Sequence, residues 1–140
     1  MKLTYFVLLL TTMLVTDVYG KTCTPKDAEA ADAAIDTLDS WTKVAQSVKR
    51  FSHCDDGSIA EGYSEAVARL LVDKWDTMPE LATLIKHNSA LKPFVLRHID
   101  STLDTNDLNQ IKKLAVSSCP TKEFASLCKD INRAAKKAGK

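Results

Sequence analysis

The chain has 140 residues, 45% of them hydrophobic and 26% charged, with 19 Lys and Arg against 18 Asp and Glu. That length suits one domain. A formal net charge of +1 argues against nucleic acid as a partner, because phosphate binding needs a basic excess on one face.

At the start, Lys2 precedes an apolar run from Tyr5 to Val15, broken only by Thr11 and Thr12. Val18 and Gly20 follow as small residues ahead of a cleavage point. This is the order of a secretory signal peptide, and the run is shorter than the about 20 residues that a spanning helix needs. The expectation is a signal peptide at 1–20 and a single helical domain at 21–140, exported to the periplasm or secreted, with no stable membrane anchor. Cleavage removes one charge of each sign, Lys2 and Asp17, so the balance is kept.

All four cysteines, Cys23, Cys54, Cys119 and Cys128, fall after that segment. An even count behind a signal peptide reads as two disulfides formed in an oxidising compartment. Cys119 and Cys128 flank a turn at Pro120, so a local bond is expected there, and Cys23 pairs with Cys54. One straight helix over 26–52 would put its ends roughly 40 Å apart, whereas a disulfide needs Cα atoms within about 7 Å. The segment must therefore fold back on itself, or the pairing is crossed. Asp39-Ser40 before Trp41 is an N-cap signal and favours the fold-back.

In chain order, Lys26 to Leu38 reads as an alanine-rich helix with Ala28, Ala31, Ile35 and Leu38 on one side. Trp41 to Phe51 gathers Trp41, Val44, Ala45, Val48 and Phe51 on its apolar side. After an Asp55-Asp56-Gly57 turn, Ser58 and Glu61 form a capping box ahead of a long helix to Trp75. Its Ile59, Tyr63, Val67, Leu70, Leu71 and Trp75 follow the 3.6 period. Thr77-Met78-Pro79-Glu80 predicts the next start, with a Thr cap, a first-turn proline and Glu80 at the third position. Leu91, Phe94, Val95, His98 and Ile99 mark a fifth helix, and Asp104 to Asp107 caps a sixth through Leu108, Ile111, Leu114 and Ala115. The last helix, from Lys122 to about Lys136, turns Phe124, Leu127, Cys128, Ile131 and Ala135 inward. With no period-two run, the fold class is all-α: a compact bundle of six to seven short helices with two disulfides.

Chemistry-bearing patterns are sparse. His53, His87 and His98 show no metal-ligand spacing, and His98 reads as a core histidine. The four glycines are too scattered to cradle a phosphate, and no catalytic nucleophile motif is present, so neither cofactor nor metal is expected and no residue is assigned a catalytic role. Gly62, inside the long helix, costs up to about 1 kcal/mol against alanine and signals a close helix approach or a ligand contact. The basic tail, Arg133, Lys136, Lys137 and Lys140, suits the negative end of a helix dipole.

The run CDDGSIAEGYSEAVARLL from Cys54, FVLRHID at 94–100, and the CP and LC pairs at 119–120 and 127–128 resemble a set of small exported bacterial proteins of unknown function. The resemblance covers roughly residues 40 to 130. It implies a periplasmic all-helical domain and no activity. The intervals Cys23 to Cys54 and Cys119 to Cys128 are also similar to the first and last cysteine intervals of insect odorant-binding proteins. This chain lacks the cysteine expected four residues after Cys54 and the middle one.

Three functions follow as expectations. The first is a non-enzymatic binding protein, an inhibitor or immunity-type protein that meets another protein through Asp55, Asp56, Glu61 and Glu65. The second is a carrier of a small apolar ligand held near Gly62, Tyr63 and Trp75. The third is a hydrolase using Glu61 or Glu65, since paired carboxylates can act as acid and base on a glycosidic bond.

Overall fold

The computed structural model describes residues 20–140. The signal-peptide expectation falls on residues 1–19, which lie outside the described residues. Among the described residues there are seven α-helices and no strand. They are α1 (Pro25–Ile35), α2 (Trp41–Phe51), α3 (Gly57–Asp73), α4 (Met78–His87), α5 (Leu91–Arg97), α6 (Thr105–Ser117) and α7 (Ala125–Ala138). Short 3₁₀ turns lead out of α2 and into α4 and α7. No helix among the described residues is long and apolar enough to cross a membrane.

Both expected disulfides are present, Cys23–Cys54 and Cys119–Cys128, with Cα atoms 4.9 and 6.1 Å apart. Two disulfides fit an oxidising, extracellular-type environment. The first bond is possible because α1 and α2 form a hairpin. Thr37 Oγ1 donates to the Ala34 carbonyl and closes α1 three residues earlier than its apolar pattern suggests. Leu38 is still buried, but in the turn rather than on the helix. Ser40 then caps α2 by accepting from the Lys43 N–H.

α3 is the central element. Its inward face buries Ile59, Tyr63, Ser64, Ala66, Val67, Ala68, Leu70 and Leu71, and it packs against α1 on one side and α6 on another. A Cβ at Gly62 would lie 2.6 Å from Ile35 Cγ2. The glycine therefore admits α1, which is why a costly residue stands inside this helix. α6 and α7 form an antiparallel pair, with Gly139 at the end of one beside Leu108 at the start of the other.

Two expected caps are corrected. Ser58 lies inside the first turn of α3, and the cap is Asp56, whose carboxylate accepts from the Gly57 N–H at 2.8 Å. Gly57 has a φ of +53°, a conformation that side chains disfavour, and this moves the helix start forward of Ser58. At α4, Thr77 makes no side-chain cap because the 3₁₀ turn Trp75–Thr77 runs directly into the helix; its hydroxyl donates back to the Lys74 carbonyl. Glu80 instead reaches another helix. Its Oε1 accepts from the Thr42 N–H at 3.1 Å and the Thr42 hydroxyl at 2.8 Å, capping the first turn of α2 from outside. Glu80→Ala should lower the unfolding free energy by about 1 kcal/mol. The check is a lower urea midpoint at unchanged slope.

Candidate functional site

The turn between Cys54 and Gly57 carries the residues expected to meet a partner, and the structure divides them. Asp56, Glu61 and Glu65 are exposed. Glu61 and Glu65 stand one helical turn apart on the outer face of α3, while Tyr63, Ser64, Ala66 and Val67 between and beside them face inward. Among the described residues neither glutamate has a cation within 4 Å.

Asp55 behaves differently. Its side chain is only 8% exposed, and Oδ2 is the centre of a cluster. Arg97 Nε donates to it at 3.0 Å, with Nη2 also in contact. His98 Nε2 lies 3.2 Å from the same oxygen. On the other side of the ring, His98 Nδ1 is 3.0 Å from Ser64 Oγ, which in turn donates to Asp100 Oδ2 at 2.7 Å. The chain Asp55–His98–Ser64–Asp100 thus ties the Cys54 turn to the middle of α3 and the end of α5. Phe94 and Tyr63 close over the imidazole, with ring centroids 4.3 and 5.6 Å away.

Proton accounting shows how this cluster is poised. With His98 neutral and its proton on Nε2, that nitrogen donates to Asp55. Nδ1 then competes with Asp100 for the single Ser64 hydroxyl proton. A second ring proton would end the competition, yet burial pushes the His98 pKa below its ordinary value, with Asp55 pulling it partly back. Asp100 is held below the usual carboxylate range: burial raises it, but hydrogen bonds from Thr102 and Ser64 outweigh that. Asp55 Oδ1 is buried without a partner among the described residues.

Ser64, His98 and Asp55 stand in the order of a serine-hydrolase triad. However, Ser64 is 1% and His98 3% exposed. The hydroxyl also faces the Ala60 carbonyl of its own helix at 3.1 Å, so no substrate carbonyl reaches it. The cluster's hydrogen bonds link the Cys54 turn, α3 and the end of α5. Ser64, Arg97 and Asp100 were not singled out from sequence. The available signal was Ser64 itself, a polar residue on the most apolar face of the chain, which requires a buried partner.

No protein-family model, curated protein or solved structure matches this chain. The function of the site rests on its own chemistry.

The residues expected to hold an apolar ligand do not surround a cavity. Tyr63 is fully buried, with its ring edge-on to Phe94 at 4.9 Å and its hydroxyl 2.7 Å from Ser47 Oγ. Gly62 is covered by Ile35. Trp75 is 8% exposed and donates from Nε1 to the Ser118 carbonyl at 2.7 Å. Tyr63 and Trp75 belong to the core, and Gly62 is half-buried where α1 packs on α3. For the hydrolase expectation, Glu61 and Glu65 project from one exposed helix face, and neither lines the grooves beside α2, α5 or α4. A glycosidic bond must be flanked by its two carboxyls, whereas these two share one face of a single helix. His53 Nε2 lies 3.2 Å from Asp27 Oδ2. That hydrogen bond, the largest influence, holds the Asp27 carboxyl below its ordinary range. No group of three metal-ligating side chains is found among the described residues.

Proposed function

We propose that this chain is an exported, non-enzymatic binding protein, an inhibitor or immunity-type protein whose acidic ridge at the start of α3 enters a basic cleft on another protein. The carrying observation is the bracing of that ridge. Cys54 is tied to Cys23, and Asp55 is held by Arg97 and His98, so Asp56, Glu61 and Glu65 stand exposed on a base that cannot shift. Exposed carboxylates on a rigid support steer association with a basic partner, and pre-ordering them reduces the conformational entropy lost on binding. Asp55 serves as the brace and not as a contact.

Native mass spectrometry of the protein purified gently from its own exporting cells tests the proposal. The expected result is an added mass of protein size that falls away as salt is raised and is absent from the triple variant Asp56→Asn/Glu61→Gln/Glu65→Gln. The three sites are exposed, so the variant should keep its unfolding free energy within about 0.5 kcal/mol. A bound partner retained by the triple variant would remove the ridge from the interface, and a bare mass from wild type would remove the binding reading itself.

A further inference from the structure

A groove between the end of α1 and the side of α2 has a volume of about 600 Å³, within the usual range for a small-molecule site of about 300–1,000 Å³. It is distinct from the acidic ridge. Its apolar lining comes from Ala34, Leu38 and Phe51, and its charged lining is entirely cationic: Lys43, Lys49 and Arg50. Asp39 neutralises Lys43 at 2.8 Å. Lys49 and Arg50 have no carboxylate within 4 Å among the described residues. Arg50 is held in place, its guanidinium 4.7 Å from the centre of the Phe51 ring, a contact that fixes a cation at an apolar surface.

The groove also has a donor in its wall. Ser47 lines it at 5% exposure, on the same helix face as Lys43 and Arg50, four residues from one and three from the other. Its hydroxyl shares a single hydrogen bond with the Tyr63 hydroxyl at 2.7 Å, and neither makes another among the described residues. Two hydroxyl protons serve one contact, so one is left without an acceptor. Where the Tyr63 hydroxyl is the donor of that bond, the unused proton is on Ser47, in a groove whose apolar side chains and the cations of Lys49 and Arg50 suit an anion with an apolar body.

We infer that the groove between α1 and α2 is a binding site for a small amphiphile with a carboxylate or phosphate head, the head over Ser47 beside Arg50, with Lys49 in the same lining, and the chain along Ala34, Leu38 and Phe51. Arg50 and Lys49 supply charge-assisted hydrogen bonds, and Ser47 places a hydroxyl in the groove wall.

The test is titration of the isotope-labelled protein with decanoate, decyl phosphate and decyltrimethylammonium below their micelle concentrations, followed by amide shifts. Saturable shifts confined to α2 and the end of α1 are expected with the two anions and not with the cation. Decanoate alone or decyl phosphate alone would assign the head as carboxylate or phosphate. Lys49→Glu/Arg50→Glu, whose side chains are exposed, should weaken binding about tenfold or more. Ser47→Ala should weaken it with the helix signals unchanged, which keeps the inference testable if the charge-reversed pair folds poorly. Equal binding of the cationic amphiphile, shifts centred elsewhere, unchanged affinity in both variants, or binding of an acidic decapeptide in place of the amphiphiles would each overturn it.

Discussion

Asp55→Ala should cost about 3 kcal/mol of unfolding free energy, the largest loss expected from any single polar substitution in this chain. The substitution strips His98 Nε2, on a side chain only 4% exposed, of its partner at 3.2 Å. A buried donor left without an acceptor costs about 1–3 kcal/mol, and a hydrogen bond to a charged acceptor such as the Asp55 carboxylate lies at the upper end of that range. Arg97 adds little, because its side chain is 51% exposed and water screens it. The effect should also depend on pH, with a sign that can be worked out. Burial, opposed by Asp55, lowers the folded His98 pKa from its ordinary value near 6.5. Below that value the unfolded chain takes up a proton that the folded chain resists. Stability is therefore full above about pH 6.5 and falls as pH drops toward the folded value. Without Asp55 the upward pull is gone, so the decline should run deeper. Urea unfolding at pH 7.5, 6.5 and 5.5 measures both effects. His98→Asn should flatten the slope relative to wild type. A wild-type slope equal to that of His98→Asn, or a loss below about 1 kcal/mol for Asp55→Ala, would show that the cluster does not brace the turn.

Removing the Cys23–Cys54 bond by Cys23→Ala/Cys54→Ala should cost about 3–4 kcal/mol, because it closes a loop with a sequence separation of 31. In melting temperature that corresponds to roughly 12–16 °C for a domain of this size. The Cys119–Cys128 bond, with a separation of 9, should cost less on removal, about 2.5 kcal/mol. The difference also has a structural reason. α1 buries only Ala31 completely, so it is held mainly by the disulfide at its start, the Asp27–His53 hydrogen bond and the seat of Ile35 on Gly62. Hydrogen exchange should show α1 amides losing protection in the Cys23→Ala/Cys54→Ala variant while α6 and α7 keep theirs. A smaller loss than that of Cys119→Ala/Cys128→Ala, or unchanged α1 protection, would count against this account. The same disulfide anchors the base of the acidic ridge, so the proposed partner's affinity should fall alongside α1 protection.

The helices and their inward faces were legible in the amino-acid pattern, since a 3.6-residue period reports only which side of a segment avoids water. Trp41 to Phe51 forms α2 with the same bounds as read from sequence. Both expected disulfide pairings are present: the short spacing around Pro120 suggested Cys119–Cys128, and Cys23–Cys54 was the remaining pair, compatible with covalent geometry once the segment between them folds back. His98 could be read as a core residue, but not its partners. What sequence could not supply was the meaning of residues whose partners are distant in the chain. Glu80 looks like the third position of its own capping box, yet it caps α2, 38 residues away. Asp55 looks like one of four exposed acids, yet it is the one turned inward, because Arg97 and His98, 42 and 43 residues on, arrive beside it. Gly62 announces a close approach without naming Ile35. Period and capping propensity act between residues within a turn of one another, whereas the partner of a buried polar group is chosen by how whole helices pack.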